Sequence, residues 1–267
     1  MPAFEADASA HGASAVGRTL VGMETQVAVL GASGRMGTLL ARIIDSTEGL
    51  VLHAGLTSSS ALEEMLGADV LVDVSRIEAS EVAVPFALEH GLDVVVGTSG
   101  WDEQRVERVS GLVPAERALV FVPNFSLGSV LGTALASVAG QFFDSIEILE
   151  AHHDKKVDSP SGTAVRTAER IAEAREHPLA APNSDQEARG QLVAGVPIHS
   201  MRLRGVVADQ QVIFGGAGEV LTIRHETISP EAYVQGIKLA IAHATSSQGT
   251  TVGLDGVLGL GDLVGRA

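Results

Sequence analysis

Apolar and polar positions alternate between two rhythms along this chain, and the change of rhythm divides it. From Gln26 to Val122 short apolar runs of four to seven residues recur: 26–30, 50–56, 69–74, 93–96 and 118–122. Stretches with helical periodicity separate them, at 38–44, from Ile77 to about His90, and from about Asp102 to Leu112. Short β-branched runs without alternation read as strands buried on both faces, and strands separated by helices make a doubly wound parallel sheet. Beyond a helix predicted over 127–140 the rhythm changes. Runs at 145–150, 196–207, 211–214 and 219–226 show partial alternation, with a helix from Ser161 or Gly162 to about Glu176 and a loop over 177–194 between them. That pattern predicts a second, α+β layer. A last helix over 230–244 and a Gly-rich tail are expected to pack back on the first sheet. The expected organisation is thus a Rossmann-type unit of residues 25–123 plus 231–267, a second unit of 124–230, and an Ala-, Gly- and Ser-rich flexible extension of 1–24. Met23 offers an alternative start just before the first strand.

Composition narrows the class. The 267 residues are 45% hydrophobic but only 3% aromatic, with 30 glycines, which describes an aliphatic α/β core. The formal net charge of −15 argues against a nucleic-acid or anionic-membrane binder. No run approaches the roughly 20 apolar residues that a membrane helix needs. Without cysteine there is no disulfide, thiolate nucleophile or cysteine-held metal, and a reducing cytoplasm is the expected setting. Paired histidines with no third ligand at suitable spacing do not make a metal site, so none is expected.

Two stretches carry chemistry. Gly31-Ala32-Ser33-Gly34-Arg35-Met36-Gly37 stands between the first strand and the first helix, where a glycine turn lets the backbone approach a pyrophosphate. The other strand exits predicted on that edge are Ser75-Arg76, Gly97-Thr98-Ser99-Gly100 and Pro123-Asn124-Phe125, and ligands of such sheets bind there. The second strand ends in Thr57-Ser58-Ser59-Ser60, without the carboxylate that selects the ribose hydroxyls of NAD and without an arginine for a 2′-phosphate, so either cofactor is accommodated. The second stretch runs from Glu150 to Ala164, Glu-Ala-His-His-Asp-Lys-Lys-Val-Asp-Ser-Pro-Ser-Gly-Thr-Ala. It places two histidines and two lysines before a helix start, where free N–H groups and the helix dipole favour an anion. Histidine adds a group able to move a proton near neutral pH. Lys156, with Asp158 to orient it, suits this role better than Lys155, which reads as solvated. Ser161 and Thr163 suit capping, and Gly162 permits close backbone approach.

The Glu-x-His-His-x-x-Lys-x-Asp-x-Pro-Ser-Gly-Thr-Ala pattern, with the Gly-x-x-Gly-Arg-Met-Gly turn and the Gly-Thr-Ser-Gly and Pro-Asn-Phe-Ser exits in order, resembles the dihydrodipicolinate reductase family from about residue 26 to 245. The resemblance implies NADH- or NADPH-dependent reduction of 4-hydroxy-tetrahydrodipicolinate in the diaminopimelate route to lysine. It further implies a homotetramer built through the second domain, a cyclic imine dicarboxylate as substrate, and neither nucleic acid nor membrane as partner. By motif, Gly31, Ala32, Ser33, Gly34, Arg35 and Met36 are implied to hold the cofactor phosphates and ribose. Gly97, Thr98, Ser99, Val122, Pro123, Asn124 and Phe125 are implied to line the nicotinamide end. His152 is implied as proton donor or acceptor and Lys156 as proton donor, with His153, Ser161, Gly162 and Thr163 on the substrate carboxylate. The chain departs from the family pattern at Val74 and Ile77, where an aromatic and a proline are usual, at Ser99 for threonine, at Thr57 for an acidic residue, and at Pro230 for arginine.

Overall fold

The structure, a computed structural model, describes residues 24–261; the expected extension, apart from Glu24, and residues 262–267 lie outside the described residues. The first rhythm builds β1 (Thr25–Leu30), α1 (Arg35–Asp45), β2 (Leu50–Leu56), β3 (Val70–Asp73), α2 (Ile77–Glu89), β4 (Asp93–Val96), α3 (Glu103–Ser110) and β5 (Ala118–Phe121). Strands β3, β4 and β5 are buried at every position, as two-sided cover by helices requires. The second rhythm builds α4 (Leu127–Gly140), β6 (Ser145–His152), α5 (Gly162–Glu173), β7 (Gln191–Val193), β8 (Val196–Arg202), β9 (Ala208–Gly216) and β10 (Glu219–Thr227), followed by α6 (Val234–Ala244), β11 (Gly249–Val252) and α7 (Leu254–Val257).

The strands form a parallel six-stranded sheet of order β11-β5-β4-β3-β1-β2 and a mixed five-stranded sheet of order β10-β9-β6-β8-β7. In the parallel sheet the order of succession reverses between β1 and β3, the point outside whose strand exits ligands of such sheets bind. Ile237, Ala240, Ile241 and Ala244 of α6 join the core beneath this sheet, as does Leu254. In the second sheet Ile146, Ile148, Ile198, Val212 and Phe214 face α4 and α5, meeting Ala136, Ala164, Ala168 and Ile171. Side chains alternate along a strand, so Glu147, His199, Met201, Ile213 and Val220 fall on the other face, which no helix of the described residues covers. Arg170 of α5 donates to Asp255 of α7 at 2.8 Å and so ties the second layer to the end of the chain.

Four expectations change. The stretch 177–194 is not all loop. Its end is β7, paired with β8 through a two-residue turn in which Ala194 and Gly195 both have positive φ, 48° and 87°. β8 stops at Arg202, five residues before the expected end of its run. The tail contains β11, which pairs with β5; its Gly-Thr-Thr-Val sequence lacks the apolar run that marked the other strands. The helix over 230–244 begins as a 3-10 turn, Pro230–Tyr233, before α6. Among the described residues no helix is long and apolar enough to cross a membrane, and no cluster of histidine and acidic side chains is placed to hold a metal ion.

Candidate active site

The sites expected from the sequence fall into two clusters, one at the carboxyl edge of each sheet's central strands. In the first, Gly31 leaves β1 with φ +87°, and a Cβ there would stand 2.8 Å from the Val74 carbonyl oxygen. The backbone N–H groups of Gly31 and Ala32 both donate to the Leu56 carbonyl at 3.0 Å, which sets the turn across β2. Gly37 has its Cα against the turn, where a Cβ would be 2.3 Å from the Gly31 oxygen and 2.6 Å from the Ala32 Cα. The turn therefore closes on itself, and α1 follows Gly34 with no side chain capping it. Its first N–H groups are open toward an anion, with Ser33, Gly34 and Arg35 exposed at the rim and Met36 packed on the core.

The neighbouring exits are cross-braced. Asp73, fully buried, accepts from Ser75 N at 3.0 Å, from Ser75 Oγ at 2.6 Å and from Ser80 Oγ. Trp101 Nε1 also donates to Ser80 Oγ, at 2.9 Å. Thr98 Oγ1 accepts from Ser75 N at 2.9 Å, so this expected cofactor residue also locks β3 to β4. Ser99 is exposed. The Phe125 ring lies over Gly97, where a Cβ would meet Phe125 Cε2 at 2.5 Å, and Val74 borders the same spot. Val122 and Phe125, expected along the nicotinamide end, are 0% and 5% exposed, with their side chains in the core. Pro123 is exposed. Asn124 accepts from Ser126 N at 2.9 Å and donates to Ser129 Oγ at 3.0 Å, which fixes the exit to the start of α4. At the end of β2 the hydroxyls of Thr57 and Ser59 hold one another at 3.1 Å.

The second cluster sits where β6 ends and α5 begins. Glu150 and His152 are two apart on β6 and share a face, so Glu150 Oε2 meets His152 Nδ1 at 2.6 Å. Glu150 is fully buried, and its other oxygen accepts from Ser161 N at 3.1 Å. Arg202, opposite His152 in the β6–β8 register, grips the same carboxylate with two N–H groups at 2.9 and 3.0 Å. Burial pushes the Glu150 carboxyl up, but hydrogen bonds from Arg202, Ser200 and His152 outweigh it and hold the group below its usual range. Burial lowers the His152 imidazole, against the raising effect of Glu150 and with help from Lys156 and Arg202, which leaves it a weaker base and a stronger acid than free histidine. Lys156 Nζ donates to Asp158 at 2.8 Å, as expected, and Lys155 is exposed. His153 leaves the strand and is exposed.

At the helix start Gly162 is exposed with nothing within 4 Å of a Cβ position, and Thr163 is half-buried beside it. Ser161 does not face this space: it is 2% exposed, and its hydroxyl caps α5 by accepting from Ala164 N at 3.2 Å. The structure thus brings His152, Lys156, Gly162 and Thr163 to one strand–helix junction and assigns Ser161 to its framework. The two clusters stand on different sheets, joined by α4, which starts one residue after Ser126 and leads to β6.

Three residues without a sequence-level assignment belong to this machinery. Glu150 was readable from its spacing to His152, whereas Arg202 is fifty residues away and needed the sheet register. His225, on β10, approaches Ser126 Oγ at 3.3 Å beside the Asn124 exit. Elsewhere His199 meets Glu147 at 2.7 Å, His243 meets Thr251 at 3.0 Å, and His53 and His90 meet the carbonyls of Leu66 and Phe86.

Burial lowers His152, His225 and His243 alike, which gives a pH prediction. Each binds its proton more weakly folded than unfolded. Their stabilising contribution is complete above the unfolded value of about 6.5 and is lost as pH falls through the lowered folded values. The melting temperature should therefore decline as pH is taken below about 6.5, ahead of the carboxylates, and His225→Gln should flatten that decline. Equal slopes in the two proteins would show that His225 plays no part in it.

Comparison with known proteins adds the family context. A family model described as dihydrodipicolinate reductase, N-terminus, matches residues 25–125, and one described as dihydrodipicolinate reductase, C-terminus, matches residues 128–258. The 4-hydroxy-tetrahydrodipicolinate reductase of Clavibacter michiganensis subsp. michiganensis is 50% identical over 242 residues, covering 89% of this chain and 87% of that one. Its counterpart from Streptomyces coelicolor is 39% identical over 245 residues, covering 88% and 98%. A solved structure, dipicolinate-bound dihydrodipicolinate reductase from Paenisporosarcina sp. TG-14, superposes with a TM-score of 0.79 at 30% identity, covering 87% of this chain and 99% of that one.

Proposed function

The chain belongs to the dihydrodipicolinate reductase family, and from that premise we propose how its own residues carry out the reaction. The activity is the NAD(P)H-dependent reduction of 4-hydroxy-tetrahydrodipicolinate in lysine biosynthesis. The glycine turn fits a nicotinamide dinucleotide: Gly31, where a Cβ would stand 2.8 Å from the Val74 carbonyl oxygen, lets the turn pack tightly against the β3 exit, and α1 starts with N–H groups that no side chain caps. NADH or NADPH held there supplies a hydride. Gly31 to Met36 bind its phosphates and ribose, and the exits at Gly97 to Ser99 and Val122 to Phe125 hold its far end, chiefly through backbone. The division into a dinucleotide unit of 25–123 plus 231–267 and a substrate unit of 124–230 is supported by β11 beside β5 and by α6 in the first core.

The substrate carries two carboxylates. We assign one to the α5 start, at Gly162 and Thr163 with His153 alongside, and place Lys156 Nζ against the dianion. Loss of the substrate hydroxyl as water leaves a conjugated ring. Hydride addition then leaves an enamine, which takes a proton from the pair formed by His152 and Lys156. Fixed cations and N–H dipoles stabilise negative charge as it develops. What supports this reading is one juxtaposition: a half-buried imidazole oriented by a buried carboxylate, beside an open helix start. Dipicolinate, the ligand bound to the Paenisporosarcina relative, is the probe. Calorimetric titration should show it binding the wild-type chain, and binding should weaken at least tenfold in Lys156→Ala. Unchanged affinity would remove Lys156 from the carboxylate site.

Placing Glu at Thr57 should favour NADH over NADPH, because a carboxylate at the second strand's end binds ribose hydroxyls and repels a 2′-phosphate. An unchanged ratio of kcat/KM for the two cofactors would mean that another position sets the preference.

For assembly we propose a homotetramer formed through the uncovered face of the second sheet. Met201 and Val220 are exposed there among Ile213 and the Glu147–His199 pair, and sedimentation equilibrium reads the mass directly. A cysteine-free chain with a biosynthetic substrate suits the cytoplasm.

A further inference from the structure

We propose that Arg202 is a positioning residue that acts on His152 through Glu150 and on Lys156 through the carbonyl of Asp158. The inference rests on the assignment of His152 and Lys156 as the proton-transfer pair. It concerns what holds those two groups in register, which neither the family resemblance nor the local motif addresses.

Arg202 arrives from β8 and is brought opposite His152 by parallel pairing with β6. Its Nη1 donates to Glu150 Oε2 at 2.9 Å and to the Met201 carbonyl at 2.7 Å. Its Nη2 donates to Glu150 Oε1 at 3.0 Å and to the Asp158 carbonyl at 2.6 Å. Glu150 passes the constraint to His152 Nδ1 at 2.6 Å and to Ser161 N at 3.1 Å. Asp158 passes it to Lys156 Nζ at 2.8 Å. One planar guanidinium thus spans both arms of the site and the helix start, a geometry that a forked donor supplies and an ammonium does not.

The arrangement has an electrostatic consequence. A fully buried carboxylate with no cation would hold a proton firmly on its neighbouring imidazole. Arg202 neutralises Glu150, so His152 keeps the orienting bond at Nδ1 without becoming a strong base, and Nε2 is the atom left to face a substrate. The other groups around His152 do not compete. Lys156 faces it from the loop and has the same sign as Arg202. Opposite it on β9 stands Ala208, and the adjacent Asp209 is engaged by Arg224 at 2.8 Å. The first turn of α5 carries no acidic residue.

Removing either partner should therefore move His152 in opposite directions. The test uses the full-length protein with labelled histidine, following the His152 ring by NMR as pH is varied and assigning it by its loss in His152→Gln. In the wild type the neutral ring should carry its proton on Nδ1. Glu150→Gln should lower the titration midpoint and Arg202→Met should raise it, each by about half a unit or more, within the range that one neighbouring charge produces. Arg202→Lys keeps the charge but not the fork, and should leave the midpoint near wild type with kcat only partly restored. In Arg202→Met kcat should fall at least tenfold while KM for the nicotinamide cofactor stays within about twofold, since that cofactor is held on the other sheet.

Midpoints that stay put in both variants, or move the same way, would overturn the proposal. Should Arg202→Met fail to fold, Arg202→Lys and Glu150→Gln still decide it: Arg202→Lys must hold the midpoint while lowering kcat, and Glu150→Gln must shift the midpoint to acid. The titration needs no turnover. Opposed shifts in a protein whose His152→Gln variant remained active would uphold the positioning role and reject the proton-transfer assignment instead.

Discussion

Replacing His152 by Gln lowers turnover by about 10²–10⁴-fold, the usual worth of a positioned general acid, and leaves cofactor affinity unchanged. The size of the effect follows from the geometry. His152 is held at Nδ1 by a carboxylate that is itself fully buried and doubly bonded by Arg202, so the ring has one orientation and one free nitrogen. Gln keeps the size and a hydrogen bond to Glu150 but cannot carry the proton. Cofactor affinity is spared because the glycine turn and α1 belong to the other sheet. The two quantities come from steady-state kinetics and from nicotinamide fluorescence titration of the same preparation. A variant that kept turnover within threefold of wild type would show that His152 is not the donor. Lys156→Ala should lose turnover to a similar degree and bind substrate more weakly as well, because Lys156 is asked both to clamp the dianion and to share the proton. Both groups serve the same proton transfer on the same substrate, so the two losses will not add when combined.

Two glycine substitutions separate the two halves of the site. In Gly37→Ala the new Cβ would lie 2.3 Å from the Gly31 oxygen and 2.6 Å from the Ala32 Cα. Both are backbone, so the turn itself must shift. Overpacking of this kind costs about 1–3 kcal/mol, and the melting temperature should fall by several degrees. Because the displaced atoms belong to the phosphate turn, KM for the nicotinamide cofactor should rise at least tenfold. Gly162→Ala meets nothing within 4 Å, so the fold should tolerate it. The methyl instead enters the space before the α5 start, and KM for the substrate should rise while the melting temperature and cofactor KM hold. Differential scanning calorimetry with initial-rate kinetics reads all of these. If Gly162→Ala left substrate KM unchanged, the carboxylate would have to bind elsewhere.

What could be read from the chain beforehand divides by the range of the interaction. The buried strands of the first sheet were readable because they are short apolar runs with helices between them, and the glycine turn because both flanking elements were visible. The link between Glu150 and His152 is local, a two-residue spacing on one strand face. β11 was not readable: it is an edge strand of Gly, Thr, Thr and Val whose position comes from pairing with β5. Nor was Arg202, whose role depends on the β6–β8 register, or His225, which meets Ser126 across ninety-nine residues. The motifs also left open where side chains point. Val122 and Phe125 lie at a strand exit with their side chains in the core, and the Ser161 hydroxyl accepts from Ala164 N at the helix cap. A motif marks a position on the backbone, while packing decides which atoms remain free for a ligand.

The central claim is that this chain passes a hydride from the glycine-turn cleft to a dicarboxylate held by Lys156 and the start of α5, with His152 beside it for the proton. A coupled assay tests it most directly, with substrate generated enzymatically in the cuvette and nicotinamide absorbance followed for NADH and NADPH in turn. The wild type should show substrate-dependent oxidation, reduced to the stated degree in His152→Gln and Lys156→Ala. No oxidation of either cofactor by the wild-type protein would contradict the claim.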